Sequence, residues 1–159
     1  MNTLDAIYAR RSTRNYTDQP VEKEKLETIV RAGNQAAIAG KLDFVVITRK
    51  SVLDLIQNTS KEVMLNSGND FLTKGANTPG FEVLYNAPAA IAVITDTAND
   101  PQTAAMNTAS AACAAENILL AATELGIASC YTVSPTLGFA VPAVNQAAGI
   151  AENKTVACI

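Results

Sequence analysis

Apolar residues along this chain recur either three to four positions apart or in unbroken runs, and the alternation of the two patterns predicts its elements. Leu4, Ile7 and Tyr8 share one face of a short helix that Thr3 can cap and that reaches about Arg10. Pro20 and Glu22 open a second helix, 22–34, with Leu26, Ile29 and Val30 turned inward and Glu22, Lys23, Glu24, Lys25 and Glu27 left in water. The run Asp43-Phe44-Val45-Val46-Ile47-Thr48 is rich in β-branched residues and fits a buried strand. Ser51 caps a third helix whose core side is Val52, Leu53, Leu55 and Ile56. Over 66–86 the pattern lapses around Gly68, Gly75, Pro79 and Gly80, which predicts a mobile loop, either covering a pocket or without a role.

A second buried strand follows at 88–95, then the longest element of the chain. Asp100 is its cap, Pro101 its first helical residue and Gly126 stands just past its end. About 25 helical residues make a rod roughly 37 Å long. Its interior carries no Lys or Arg, only small residues and a greasy second half, so it is expected to be buried nearly all round. The small side chains let another backbone approach, either a second long helix or a partner subunit. A third strand is expected at 128–133, a turn at 134–139, a short helix from Pro142 to about Ala148 and a last strand at 154–159 that ends in mid-run. Strands alternate with helices, but the two opening helices break a simple βαβ repeat and favour an α+β arrangement.

Composition narrows the function. The 159 residues suit a single domain, 48% apolar and 17% charged. A net charge of −3 argues against nucleic acid as a partner. Asn107, Glu116 and Asn117 interrupt the longest helix, so it is not a membrane span. Three dispersed cysteines and no signal-like N-terminus favour the cytoplasm, and Cys113, Cys130 and Cys158 are expected in buried elements as core thiols. The chain has no histidine. That removes Ser-His and Cys-His nucleophile pairs and the usual zinc sites, so no metal is expected, and an enzyme built on this chain needs a cofactor to carry its chemistry.

One stretch stands out against the acidic background: Arg10-Arg11-Ser12-Thr13-Arg14. Guanidinium forks match the geometry of phosphate, and the Ser12 hydroxyl adds a neutral donor. The competing reading is a solvated helix end, where basic side chains meet the negative end of the dipole.

These residues, with the aromatic Tyr16 and the Asp18-Gln19-Pro20-Val21 turn after them, resemble the FMN-dependent nitroreductase family. So do the 43–48 strand, the Ala-Pro-Ala-Ala-Ile start at Ala87, the Ala-Glu-Asn-Ile-Leu-Leu-Ala-Ala core at 115–122, and Leu125-Gly126-Ile127-Ala128-Ser129-Cys130. The resemblance implies a three-layer α/β/α sandwich over residues 1–159, with a mostly antiparallel central sheet and a long buried central helix. It implies that Arg10, Arg11, Ser12 and Arg14 hold the FMN phosphate and ribityl end. It places Pro135-Thr136-Leu137-Gly138-Phe139 beside the hydride-accepting nitrogen, with the Gly138 N–H as donor and Thr136 and Leu137 flanking it. It also implies a homodimer with the flavins at the interface.

Two departures accompany it. Ala39-Gly40-Lys41-Leu42-Asp43 replaces the Asn-x-Gln-Pro-Trp-like segment that contacts the flavin ring in many relatives, and the family's basic tail beyond the last strand leads one to expect an incomplete C-terminus. The function implied is electron transfer from NADH or NADPH through FMN to a small nitroaromatic, quinone or similar acceptor, by a ping-pong mechanism in which the flavin, not a side chain, is catalytic. A flavin-binding sensor, store or assembly protein is the alternative, and a phosphate-ester binder without flavin a third.

Overall fold

The computed structural model describes residues 2–159. It contains α1 (Thr3–Ala9), α2 (Lys23–Gly33), β1 (Leu42–Ile47), α3 (Lys50–Leu65), α4 (Asp70–Ala76), β2 (Ala90–Asp96), α5 (Pro101–Glu124), a 3-10 turn (Ser134–Ala140), α6 (Pro142–Ala148) and β3 (Lys154–Cys158). The strands form one antiparallel sheet in the order β1-β2-β3, Leu42 facing Thr95 and Ile47 facing Ala90. A bulge between Val93 and Ile94 shifts the pairing of β2 with β3.

The central strand explains the layering. Side chains alternate along β2, so Ala90, Ala92 and Ile94 join one core with Val52, Leu53 and Ile56 of α3, Phe139 of the 3-10 turn and Val144 of α6. Val93 and Ile91 join a second core with Ile29 of α2 and Ala111, Ala114, Ala115 and Ile118 of α5. Helices therefore cover both faces of the sheet in an α+β, three-layer sandwich.

Several local expectations need correction. The cap of α1 is Asn2, whose side chain accepts from the Asp5 N–H while Asp5 accepts from the Asn2 N–H; Thr3 is already helical. Leu4, Ile7 and Tyr8 are exposed, and the helix buries Ala6. Arg49, not Ser51, precedes α3. The irregular stretch 66–86 holds α4, capped by Asn69, and Val83 and Leu84 anchor its far end in the core. No strand forms at 128–133: a single bridge pairs Ser129 with Ser12, and Thr132 and Ile159 exchange hydrogen bonds of 2.8 and 3.1 Å.

In α5 the Asp100 cap, Pro101 and the left-handed Gly126 stand as expected, with the Thr103 N–H donating to the Asp100 carboxylate at 2.9 Å. Its burial does not. Ser110, Ala111, Ala114, Ala115, Ile118, Leu119 and Ala122 are buried, whereas residues 101–106 and Thr108, Ala109, Ala112 and Cys113 face out. Small residues alone do not say which face is covered. Cys113 is thus exposed rather than in the core, Cys130 is half-buried, and Cys158 is buried, its thiol pushed up to about 11 by burial.

Candidate functional site

The arginine group begins where α1 ends. Arg10 is the C-cap residue of α1, its N–H donating to the Ala6 carbonyl, and its guanidinium lies 3.5 Å from the Glu116 carboxylate of α5. Arg11 folds back to donate from Nη1 to the carbonyls of Tyr8 and Arg10, both at 2.7 Å. Ser12 and Thr13 then run beside Ser129, the Thr13 N–H donating to the Ser129 carbonyl at 3.0 Å. Arg14 reaches the Ser12 carbonyl at 3.5 Å and lies 6.0 Å from the centre of the Tyr85 ring.

Tyr85 is held there by unusual backbone. Tyr85 and Asn86 have φ of 53° and 58°, the left-handed region, which costs a tyrosine on the order of 1–3 kcal/mol. Tyr16 packs behind the cluster and donates to the Thr13 carbonyl at 2.6 Å; burial, then Cys130 nearby, pushes its hydroxyl up to about 12. It stays neutral at any ordinary pH.

Arg11 and Arg14 face no carboxylate among the described residues, and each guanidinium carries five N–H donors of which few are engaged. Such a donor set can hold a phosphate group. The solvated-helix-end alternative accounts less well for Arg14, which lies beyond α1.

The second expected set lies on the other side of the sheet. Pro135, Thr136, Leu137 and Gly138 form most of a 3-10 turn packed on α3. The Gly138 N–H, expected to face a flavin nitrogen, instead donates to the Ser60 hydroxyl at 3.0 Å and is buried. Its donor is engaged inside the fold. Leu137 packs against Met64, Ala76 and Val83. No hydrogen bond or ion pair joins this turn to the arginines among the described residues, yet only five residues separate Ser129 from Pro135, so the turn sits within roughly 20 Å of the Ser12 bridge.

Neither of the two main clefts is lined by these residues. Residues of the segment 15–21 line both: one of about 1510 Å³ shared with Val46, Leu53 and Gln57, and one of about 440 Å³ walled by Leu26, Ile29, Ile118 and Leu119. Arg11 and Arg14 stand on open surface, and Arg10 is half-buried. No group of residues able to hold a metal occurs among those described. No helix among them is long and apolar enough to cross a membrane.

The model of the nitroreductase family matches residues 7–159. The chain belongs to the nitroreductase family. By that membership it is an oxidoreductase. It is 31% identical over 156 residues to an Archaeoglobus fulgidus protein named for NADH dehydrogenase/NAD(P)H nitroreductase activity, covering 96% of this chain and 79% of that one. It is 27% identical to the NADPH-flavin oxidoreductase of Vibrio harveyi, covering 98% of this chain and 62% of the relative. Among solved structures, a Bacteroides fragilis nitroreductase with bound FMN superposes with a TM-score of 0.85 at 27% identity, over 99% of this chain and 85% of that one.

Sequence reasoning missed two residues of this region, Ser60 and Ser110, both buried and both hydrogen-bonded to loops. A signal existed for Ser60. It lies four residues after Ile56 and four before Met64, on the core stripe of α3, where a polar side chain needs a partner.

Proposed function

We propose that this nitroreductase-family chain is an FMN-dependent oxidoreductase that takes electrons from NADH or NADPH and passes them to a small nitroaromatic, quinone or similar acceptor in a ping-pong sequence. The observation that carries the reading is the arginine group: Arg11 and Arg14 point uncommitted donors outward beside Ser12, in the chain of a family whose Bacteroides fragilis member holds FMN. The names of the Archaeoglobus and Vibrio relatives support NADH or NADPH as donor.

Arg10, Arg11, Ser12 and Arg14 would hold the phosphate and ribityl end, through charge-assisted bonds about twice as strong as neutral ones. Pro135, Thr136 and Leu137 would line the ring, with Gly138 the small residue that lets their turn close on α3. When bound, FMN supplies hydride acceptance and release, which a histidine-free chain has no side chain to replace.

An open arginine surface suits a cofactor that a second subunit covers. Ile7 and Tyr8 of α1 and Ala105, Met106, Ala109 and Ala112 of α5 leave apolar surface exposed around it. A two-fold dimer through α5 would bury that surface and place a flavin at each end of the interface.

Steady-state kinetics of the FMN-loaded protein, with a quinone or a nitroaromatic as acceptor, tests the reading. Parallel double-reciprocal lines are expected. Converging lines would rule out the ping-pong order, and an absence of acceptor-dependent NAD(P)H oxidation would leave a flavin store or sensor instead.

A further inference from the structure

We propose that the cavity of about 440 Å³ walled by Leu26, Ile29, Ile118 and Leu119 is a binding site for an uncharged planar aromatic molecule, held by tyrosine rings and reached past the segment 15–21. The inference stands apart from the FMN reading, because none of Arg10, Arg11, Ser12 and Arg14 lines this cavity. Its volume falls within the roughly 300–1,000 Å³ of small-molecule pockets.

Charge sets the class of guest. The only charged side chains along the cavity, Glu22 and Lys25, pair with each other at 3.2 Å and stay in contact with water. An ion entering between the apolar walls would lose its hydration and find no free counter-charge, so the guest is neutral. Ring content sets its shape. Three of the chain's four tyrosines, Tyr16, Tyr85 and Tyr131, line the cavity, whereas none of its four phenylalanines does. Such rings offer a planar guest their faces and edges while their hydroxyls keep polar partners, as Tyr16 does with the Thr13 carbonyl at 2.6 Å. Tyr85 is kept in place on left-handed backbone, φ 53°, the kind of local strain that collects at ligand sites.

The way in is a wall with little to hold it. Asn15, Tyr16, Pro20 and Val21 line this cavity and the larger cleft alike, so their segment is common to both. Residues 15–21 lie outside every helix and strand and make no backbone–backbone hydrogen bond among the described residues. The segment can therefore shift without breaking one, which admits a guest to the apolar interior.

The test uses the full chain, with and without FMN, and follows alkylation of Cys130, which is half-buried in the cavity lining, against that of the exposed Cys113. The probe is naphthol at neutral pH, and naphthoate is its anionic counterpart. Naphthol is expected to slow labelling of Cys130 saturably and to leave Cys113 unchanged, with naphthoate about tenfold less effective. Ala122→Leu, which fills the cavity, and Tyr85→Gly, which removes a ring and suits the left-handed backbone, should each weaken the protection by about fivefold or more. An unprotected Cys130, equal protection of Cys113, equal protection by naphthoate, or undiminished protection in both variants would overturn the proposal. Protection that rises with protein concentration in the absence of naphthol would also overturn it, and would assign the cavity to a second copy of the chain. Each readout is a labelling rate, so a failure of FMN to bind leaves this test standing.

Discussion

Replacing Gly138 by alanine perturbs the tightest contact in the candidate site. Gly138 does not lie in the left-handed backbone region, so the cost is steric rather than conformational. The new Cβ would stand 2.5 Å from the Ser60 hydroxyl, 3.2 Å from the Ile56 carbonyl oxygen and 3.3 Å from the Ser60 nitrogen. The last two are backbone of α3 and yield little. Overpacking of this kind costs about 1–3 kcal/mol. Displacing the hydroxyl also strands the Gly138 N–H and the Pro135 carbonyl, at about 1 kcal/mol for each bond lost. The total is about 3–5 kcal/mol. At ~2–4 °C per kcal/mol for a chain of this size, Tm should fall by roughly 6–20 °C. Urea unfolding of Gly138→Ala, alone and in a Ser60→Ala background, measures both the cost and its origin. The cost of Gly138→Ala should shrink once the hydroxyl is gone, because the nearest obstacle then lies at 3.2 Å. A loss under about 1 kcal/mol, or the same loss in both backgrounds, would refute the reasoning.

Arg10→Ala with Arg14→Ala should weaken FMN binding by ~100-fold or more, since two charged donors contribute about 3 kcal/mol at least, while Tm moves little because Arg14 is exposed and the half-buried Arg10 loses only a partly solvated ion pair with Glu116. Unchanged FMN affinity by fluorescence titration would remove the phosphate assignment. In native protein at pH 8, mass spectrometry after alkylation should find Cys113 labelled well before Cys158, whose thiol is buried and pushed up to about 11; equal rates would contradict the burial of β3. The Lys154 ammonium contacts Asp43 at 2.8 Å and Asp96 at 2.7 Å, tying the three strands together. Its hydrogen bond holds the Asp43 carboxyl below its ordinary 3.8, so this stabilisation is present above that value and is lost as pH falls through the lower folded one. The same contacts raise Lys154 above 10.5, so its share is lost only at more alkaline pH. Lys154→Met should flatten both limbs of the Tm profile, and an unchanged acid limb would show that the contact contributes nothing.

The order of elements was legible wherever local chemistry decides it. Asp100, Pro101 and Gly126 mark α5 because a cap, a missing N–H and a left-handed residue act within one turn. The runs at β1, β2 and β3 were legible because short runs rich in β-branched residues favour a pleated strand, and β2 is buried on both faces. Burial of α5 was not legible: Ala109 and Ala111 are alike in composition, yet one is exposed and the other faces Ile29 and the second core. The residues 128–133 look like a strand, but among the described residues only Ser129 and Thr132 pair with a neighbouring segment, while the Val133 carbonyl accepts from the Thr136 N–H of the following turn, so no ladder forms. Within α4, Gly75 masked a helix that Asn69 caps and that Met64 and Val83 stabilise from elsewhere in the chain. At the candidate site, the arginine cluster stood out in the sequence by its charge, while its assignment to a phosphate came from the family resemblance. The commitment of the Gly138 N–H to Ser60 could not be read there, because it joins residues 78 positions apart.

The most direct measurement is the visible spectrum of the protein after loading with FMN and removing the excess, followed by anaerobic NADH or NADPH. A retained yellow chromophore that bleaches on addition of the nucleotide is the expected result. A protein that leaves the column colourless, or retains FMN that neither nucleotide reduces, would contradict the assignment of this chain as an FMN-dependent NAD(P)H oxidoreductase.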